Sequence, residues 1–156
     1  MIQRIQSVYL ALAALLGASL AVGTVATYVS PMGITTTLGT SSTVVNTSAQ
    51  VLESSINTSI VASVVVIVAM ALFSLFSFKN RKTQQLLCNI GTVLSLFATL
   101  YLASTNNNLM EENGMSAFTV SNFRLFTPLI CMMLFILAQR AIKKDDDLVK
   151  SADRLR

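Results

Sequence analysis

Four long apolar runs dominate this chain, and they constrain its fold more than anything else in it. They occupy residues 5–29, 59–78, 86–104 and 123–139. Each is roughly 17–25 residues long, the length a helix needs to cross a hydrocarbon core about 30 Å thick. In lipid a backbone must satisfy its own N–H and C=O groups, so such runs fold as helices. The expected fold class is an all-α membrane protein: one domain, residues 1–156, built as a four-transmembrane-helix bundle. Composition agrees. Only 12% of the residues are charged against 53% hydrophobic, and soluble domains carry about 25% charged residues.

The charges lie at the ends of these runs and orient them. Arg4 precedes the first run. Lys79, Arg81 and Lys82 fall in the short link 79–85, and Arg140, Lys143 and Lys144 open the tail 140–156. Links 30–58 and 105–122 carry no Lys or Arg; their acids are Glu53, Glu111 and Glu112. By the positive-inside rule both termini and the 79–85 link are cytoplasmic, and the other two links are outside. Ten of the 11 basic residues then lie inside, and only Arg124 lies outside. The same placement favours a lipid bilayer over nucleic acid as the reason for the +4 net charge.

The first run has a rival reading as a cleaved signal, because "VGTVAT" is a passable cleavage site. A signal core is about 7–15 residues, and this run exceeds that, so a retained anchor is expected. Pro128 in the fourth run marks either the helix start or a kink, since proline fits a first turn.

The outer links read either as flexible polar loops or as a small sheet. "GITTTLGTSSTVVNTS" has the Thr/Val content and turn-forming glycines of a β-hairpin. "AQVLESSI" reads as a helical turn or two, and "SAFTVSNF" as a third strand. A small periplasmic cap containing β-structure is therefore expected. The tail "RAIKKDDDLVKSADRLR" reads as a helix that continues the fourth span or docks on something, against a solvated, fraying alternative. Asp146 and Lys150 are one turn apart in it and suited to pairing.

Chemistry-bearing patterns are sparse. There is no histidine, and the two cysteines, Cys88 and Cys131, have no CxxC partner or zinc-like spacing. Their depths in different spans differ by roughly 9 Å at 1.5 Å per residue, too far for a disulfide, so both read as apolar fillers. No nucleophile elbow, HExxH or phosphate-binding loop occurs. No catalytic, cofactor or metal site is expected. Intramembrane charges, which are costly and functional, are missing from the first three runs. Arg124 at the outer edge of the fourth either snorkels to headgroups or pairs with Glu111, Glu112 or a partner's acid. Gln84, Gln85 and Asn89 read either as interfacial amides or as the lining of a polar notch.

Two rows of small residues stand out: Ala13, Gly17 and Ala21 in the first run, and Gly91, Ser95 and Thr99 in the third. Small residues let helix backbones approach closely in lipid. The rows either pack within the bundle or seat a partner's helix.

The opening "MIQRIQSVYL", the link "KNRKTQQLLC" and the ending "LAQRAIKKDDDLVKSADRLR" resemble a family of small four-span inner-membrane proteins of Bacteroidota, described as a domain of unknown function. The resemblance covers essentially the whole chain and is most specific at its ends. It implies a bacterial cytoplasmic-membrane protein retained from Met1, and it implies no activity. The functional expectation is a non-enzymatic accessory, assembly or stabilising subunit working with other membrane proteins. A small transporter or channel is the alternative, and a membrane-embedded enzyme is a weaker third.

Overall fold

The computed structural model describes residues 5–21, 23–29, 35–40, 42–47, 50–77, 80–112, 117–119 and 122–154. Four helices make up most of it. They are α1 (Ile5–Leu20), α2 (Thr58–Phe76), α3 (Arg81–Glu112) and α4 (Thr127–Arg154). Each buries a single seam. On α1 it is Gln6, Leu10, Ala13, Gly17 and Leu20. On α2 it is Ile60, Val64, Ile67, Ala71 and Ser74. On α3 it is Gln84, Cys88, Gly91, Ser95, Ala98 and Leu102, and on α4 Pro128, Cys131, Phe135, Ala138 and Ile142. The steps alternate between three and four residues on every helix. That period of 3.5 keeps one seam facing the neighbouring helices along the bundle.

The helices pack in a ring: α1 on α2, α2 on α3, α3 on α4, and α4 back on α1. Neighbours run antiparallel. Ser74 near the end of α2 meets Cys88 near the start of α3, and Cys131 of α4 reaches the Ala13 carbonyl of α1. The outward faces are apolar, with Phe73, Phe76, Phe97, Leu100 and Met133 among the exposed side chains. Three helices, α2, α3 and α4, are long and apolar enough to cross a membrane.

A five-stranded antiparallel sheet caps one end of the bundle. Its strands are β1 (Thr24–Val29), β2 (Thr35–Gly39), β3 (Ser42–Thr47), β4 (Gln50–Ile56) and β5 (Ala117–Thr119). Their order is β4-β3-β2-β1-β5. The register pairs Thr27 with Thr37 and with Thr119, and Val44 with Ser54. A second core joins the sheet to the helices: Val25, Ala26, Tyr28 and Leu38 pack with Ile60 and Leu102.

The first run departs from expectation. It is helical only to Leu20, and residues 24–29 form β1 instead. Gly23 turns the chain with φ +94°, a conformation that costs a side-chain-bearing residue about 1–2 kcal/mol. Val25, Tyr28 and their neighbours are then drawn into the sheet core rather than a longer helix. At about 1.5 Å per residue, the 16 residues of α1 cover about 24 Å. "AQVLESSI" also differs, forming β4 where a helical turn was expected, because pairing with β3 satisfies its backbone. The hairpin β2–β3 and the short strand in "SAFTVSNF" are present.

The third run is helical well beyond residues 86–104, through "TNNNLMEE" to Glu112. Tyr28 draws that extension into contact with the sheet by donating from its hydroxyl to Asn106 Oδ1 at 2.5 Å. The fourth run starts as a 3-10 turn, Asn122–Phe126, with Pro128 in the first turn of α4. Proline there forfeits no helical bond, so it marks the helix start. α4 then continues unbroken through the tail to Arg154.

The bundle meets the cap through polar side chains. Thr40 Oγ1 donates to the Leu20 carbonyl, one of the carbonyls that the end of α1 leaves without a helical partner. Asn57 precedes α2, and its amide donates to the Gly39 carbonyl at 3.2 Å and to Thr43 Oγ1 at 2.7 Å. Its own carbonyl receives the Ile60 and Val61 N–H groups at 3.1 Å.

Candidate functional site

At the end of the bundle opposite the cap, two buried amides head the inward seams. Gln6 at the start of α1 is 2% exposed, and Gln84 at the start of α3 is 1% exposed. Both head their helices' inward seams, so they face the bundle interior from opposite corners of the ring. One turn beyond Gln84 along α3, Cys88 Sγ lies 3.2 Å from Ser74 Oγ. Gln6 lies two turns from Ala13, and Gln84 two turns from Gly91. At 1.5 Å per residue, the glutamines then differ by about 6 Å in depth, because Ala13 is level with Cys131 and Gly91 with Phe135. Neither Gln6 Oε1 nor Gln84 Oε1 has a hydrogen-bond partner. A buried acceptor left unpaired costs about 1–3 kcal/mol, so each of these oxygens can still accept a donor.

Sequence spacing held the signal for Gln6. Residues 6, 10, 13, 17 and 20 form one seam, and a seam argument places Gln6 inside. Of the amides read as either interfacial or notch-lining, Gln84 is buried, Gln85 half-buried and Asn89 exposed. Only Gln84 contributes to the interior.

Among the described residues, every Lys and Arg except Arg124 falls at this same end. Arg81 bridges α3 to the tail of α4: its Nη1 lies 3.5 Å from Asp146 Oδ1 and donates to the Asp145 carbonyl at 3.3 Å. Lys150 Nζ sits 2.6 Å from Asp146 Oδ2, one turn along. The Lys150 hydrogen bond, with the charges of Lys150 and Arg81 behind it, holds the Asp146 carboxyl below the usual carboxylate range. Lys82, Arg140, Lys143 and Lys144 are exposed. Arg4 and Lys79 lie outside the described residues.

The small-residue rows line the interior unevenly. Gly17 lets α1 approach Val68 and Ile67 of α2, and Gly91 lets α3 approach Phe135 of α4. Ala13 and Ser95 are fully buried. Thr99 is half-buried and donates to the Ser95 carbonyl at 2.8 Å, while Ala21 lies past the end of α1 and is exposed. Because α1 and α3 sit across the ring, each row packs against an adjacent helix.

At the cap end, Arg124 Nη1 donates to the Thr24 carbonyl at 3.2 Å, over Gly23. Glu111 is exposed, and the side chain of Glu112 is outside the described set. Cys88 and Cys131 are both buried free thiols with separate neighbours, Ser74 and the Ala13 carbonyl. Among the described residues no three His, Cys, Asp or Glu side chains converge as a metal site.

Residues 2–155 match the family described as Domain of unknown function (DUF4293), and the chain belongs to that family. No curated protein matches it.

Proposed function

We propose that this protein is a four-span component of the bacterial cytoplasmic membrane. In this reading its basic end and both termini are inside, and it serves as a non-catalytic accessory, assembly or stabilising subunit of a larger membrane complex. α1 is the fourth span. It packs on α2 and α4, and a short span is accommodated by local bilayer thinning at modest cost. The concentration of Lys and Arg at one end and the Thr-rich sheet at the other support this orientation.

One observation carries the subunit reading. α4 continues past Lys144 to Arg154, and Arg81 of α3 pins this stretch through Asp146 and the Asp145 carbonyl. On that stretch Leu148 is 59% exposed and Val149 44% exposed. Together with Ala141 and Asp145 they form one helix face at i, i+4, i+7 and i+8 spacing. A pinned helix that shows apolar side chains to water is suited to a partner's surface.

Capture from membranes in mild detergent tests this. The native chain should bring down a defined set of membrane proteins, and the Leu148→Glu/Val149→Glu chain should lose them. Recovery of the native chain alone, as a monomer, would refute the reading. Cysteine labelling from each side of the membrane tests the orientation.

The unpaired oxygens of Gln6 and Gln84 favour a small transporter as the second reading, with this layer as a polar entrance from the cytoplasmic side. It predicts that a solute flux is lost on deletion and restored in proteoliposomes.

A further inference from the structure

We infer that the outward face of α4 is a binding site for one anionic phospholipid of the cytoplasmic leaflet. Its phosphate would be held by Arg140, Lys143 and Lys144, and its acyl chains would lie along Leu137, Met133 and Leu129. This inference rests on the membrane-spanning reading and is independent of the subunit reading.

The argument starts from spacing. Leu129, Met133, Leu137, Arg140 and Lys144 follow one another at three- or four-residue steps, so they share one face of the helix. Lys143 flanks that face. All of these side chains are exposed, Met133 by 57%. An apolar stripe therefore runs without interruption into three cations. The two halves match a ligand with hydrocarbon at one end and negative charge at the other.

The cations are also available. "KKDDD" places three acids beside them, which would neutralise them if all faced the same way. Asp146 is instead turned toward α3, where Arg81 and Lys150 share it. Asp145 is half-buried, and its carbonyl is bound by Arg81. Asp147 is exposed on the cationic side but forms no ion pair with Lys143 or Lys144, and it lies a turn further from the apolar stripe. Arg140, Lys143 and Lys144 have no ion-pair partner among the described residues.

Depth agrees with a phosphate. Arg140 directly follows the apolar run, and Lys143 and Lys144 lie about 5–6 Å further along the axis. Long cationic side chains at this depth reach the headgroup layer while their stems cover hydrocarbon. Clusters of this kind next to a span recognise anionic headgroups.

The test compares the native chain with Arg140→Gln/Lys143→Gln/Lys144→Gln in nanodiscs of phosphatidylcholine, with and without phosphatidylglycerol. Phosphatidylglycerol should raise the native Tm by about 2–4 °C, and salt at about 1 M should abolish the rise by screening. The variant should match the native Tm in phosphatidylcholine and show no rise with phosphatidylglycerol. Native mass spectrometry should find about tenfold less phosphatidylglycerol retained on it. If the triple variant is too unstable to compare, Lys144→Gln takes its place, and it should retain less phosphatidylglycerol than Lys82→Gln. An equal rise in both chains, a rise insensitive to salt, or a full rise from inorganic phosphate in detergent would each overturn the assignment. Failure to enter phosphatidylcholine nanodiscs at all would count against the membrane-spanning reading itself.

Discussion

Gly91 of α3 lies against the ring of Phe135 of α4, and a Cβ on the glycine would stand 2.9 Å from the ring carbons Cε1 and Cζ. Phe135 is fully buried at the centre of the bundle core. The pair is a size match: the missing side chain on one helix is the space that the ring on the other occupies. In lipid, helix association draws on such packing because burial away from water offers little.

Gly91→Ala should destabilise the fold by about 1–3 kcal/mol through overpacking. Phe135→Leu in the same chain should recover part of that loss. A double-mutant cycle on denaturation in detergent measures the coupling, expected at about 0.5–3 kcal/mol. Additive single effects would show that the two residues do not share this space.

The buried amide of Gln84 leads to the opposite expectation. Gln84→Leu removes an oxygen that has no partner while keeping the volume, so stability should rise by about 1–3 kcal/mol. A fall of that size would mean that the oxygen is bound in the membrane, and would support the polar-entrance reading.

Tyr28 ties the cap to α3 through Asn106. Tyr28→Phe should cost about 0.5–1.5 kcal/mol. Burial also pushes the Tyr28 phenol up to about 12, above the ordinary value of about 10. The folded state therefore favours the protonated phenol. This contribution is complete below about pH 10 and is lost as pH rises through about 12. Alkaline titration of stability should show that loss in the native chain and not in Tyr28→Phe; identical profiles would remove Tyr28 as its source.

Asp146 gives a pH dependence of the other sign. Its carboxyl is lowered by Lys150 and Arg81, so the attachment of the tail is present above the ordinary carboxylate range and lost as pH falls through the lowered value. Spin labels at residues 85 and 149 should report a narrow distance distribution at about pH 7 and a broad one once the pH has fallen below the lowered carboxyl value. Arg81→Gln should broaden it at both. Global stability should change little, because exposed ion pairs contribute little. A narrow distribution under all conditions would mean that α4 is rigid without these contacts.

Much of this fold is legible in the sequence, for reasons that differ between elements. "SIVASVVVIVAMALFSLFSF" has no charge and no reason to bend, so its helix ends at Phe76, close to where hydropathy places it. The hairpin β2–β3 follows from local Thr/Val content and a turn. β4 did not, because "AQVLESSI" has little preference of its own and is extended only by pairing with β3. The candidate site divides the same way. The basic residues are visible as charges in a row, whereas Gln6 and Gln84 look like ordinary polar flanks until the seam shows which way they face.

The sequence by itself determined the apolar segments, the separation of charge between the two ends of the bundle and the family, because these depend on residue type and order along the chain. Tertiary structure decided where α1 stops, how far α3 extends past the apolar zone, and which polar groups meet one another. Those outcomes turn on contacts between distant residues. Thr40 caps Leu20 from twenty residues away, Tyr28 meets Asn106 across 78 residues, and Arg81 holds Asp146 from another helix. A local pattern cannot encode such contacts, since their strength depends on what the rest of the chain brings to the same place.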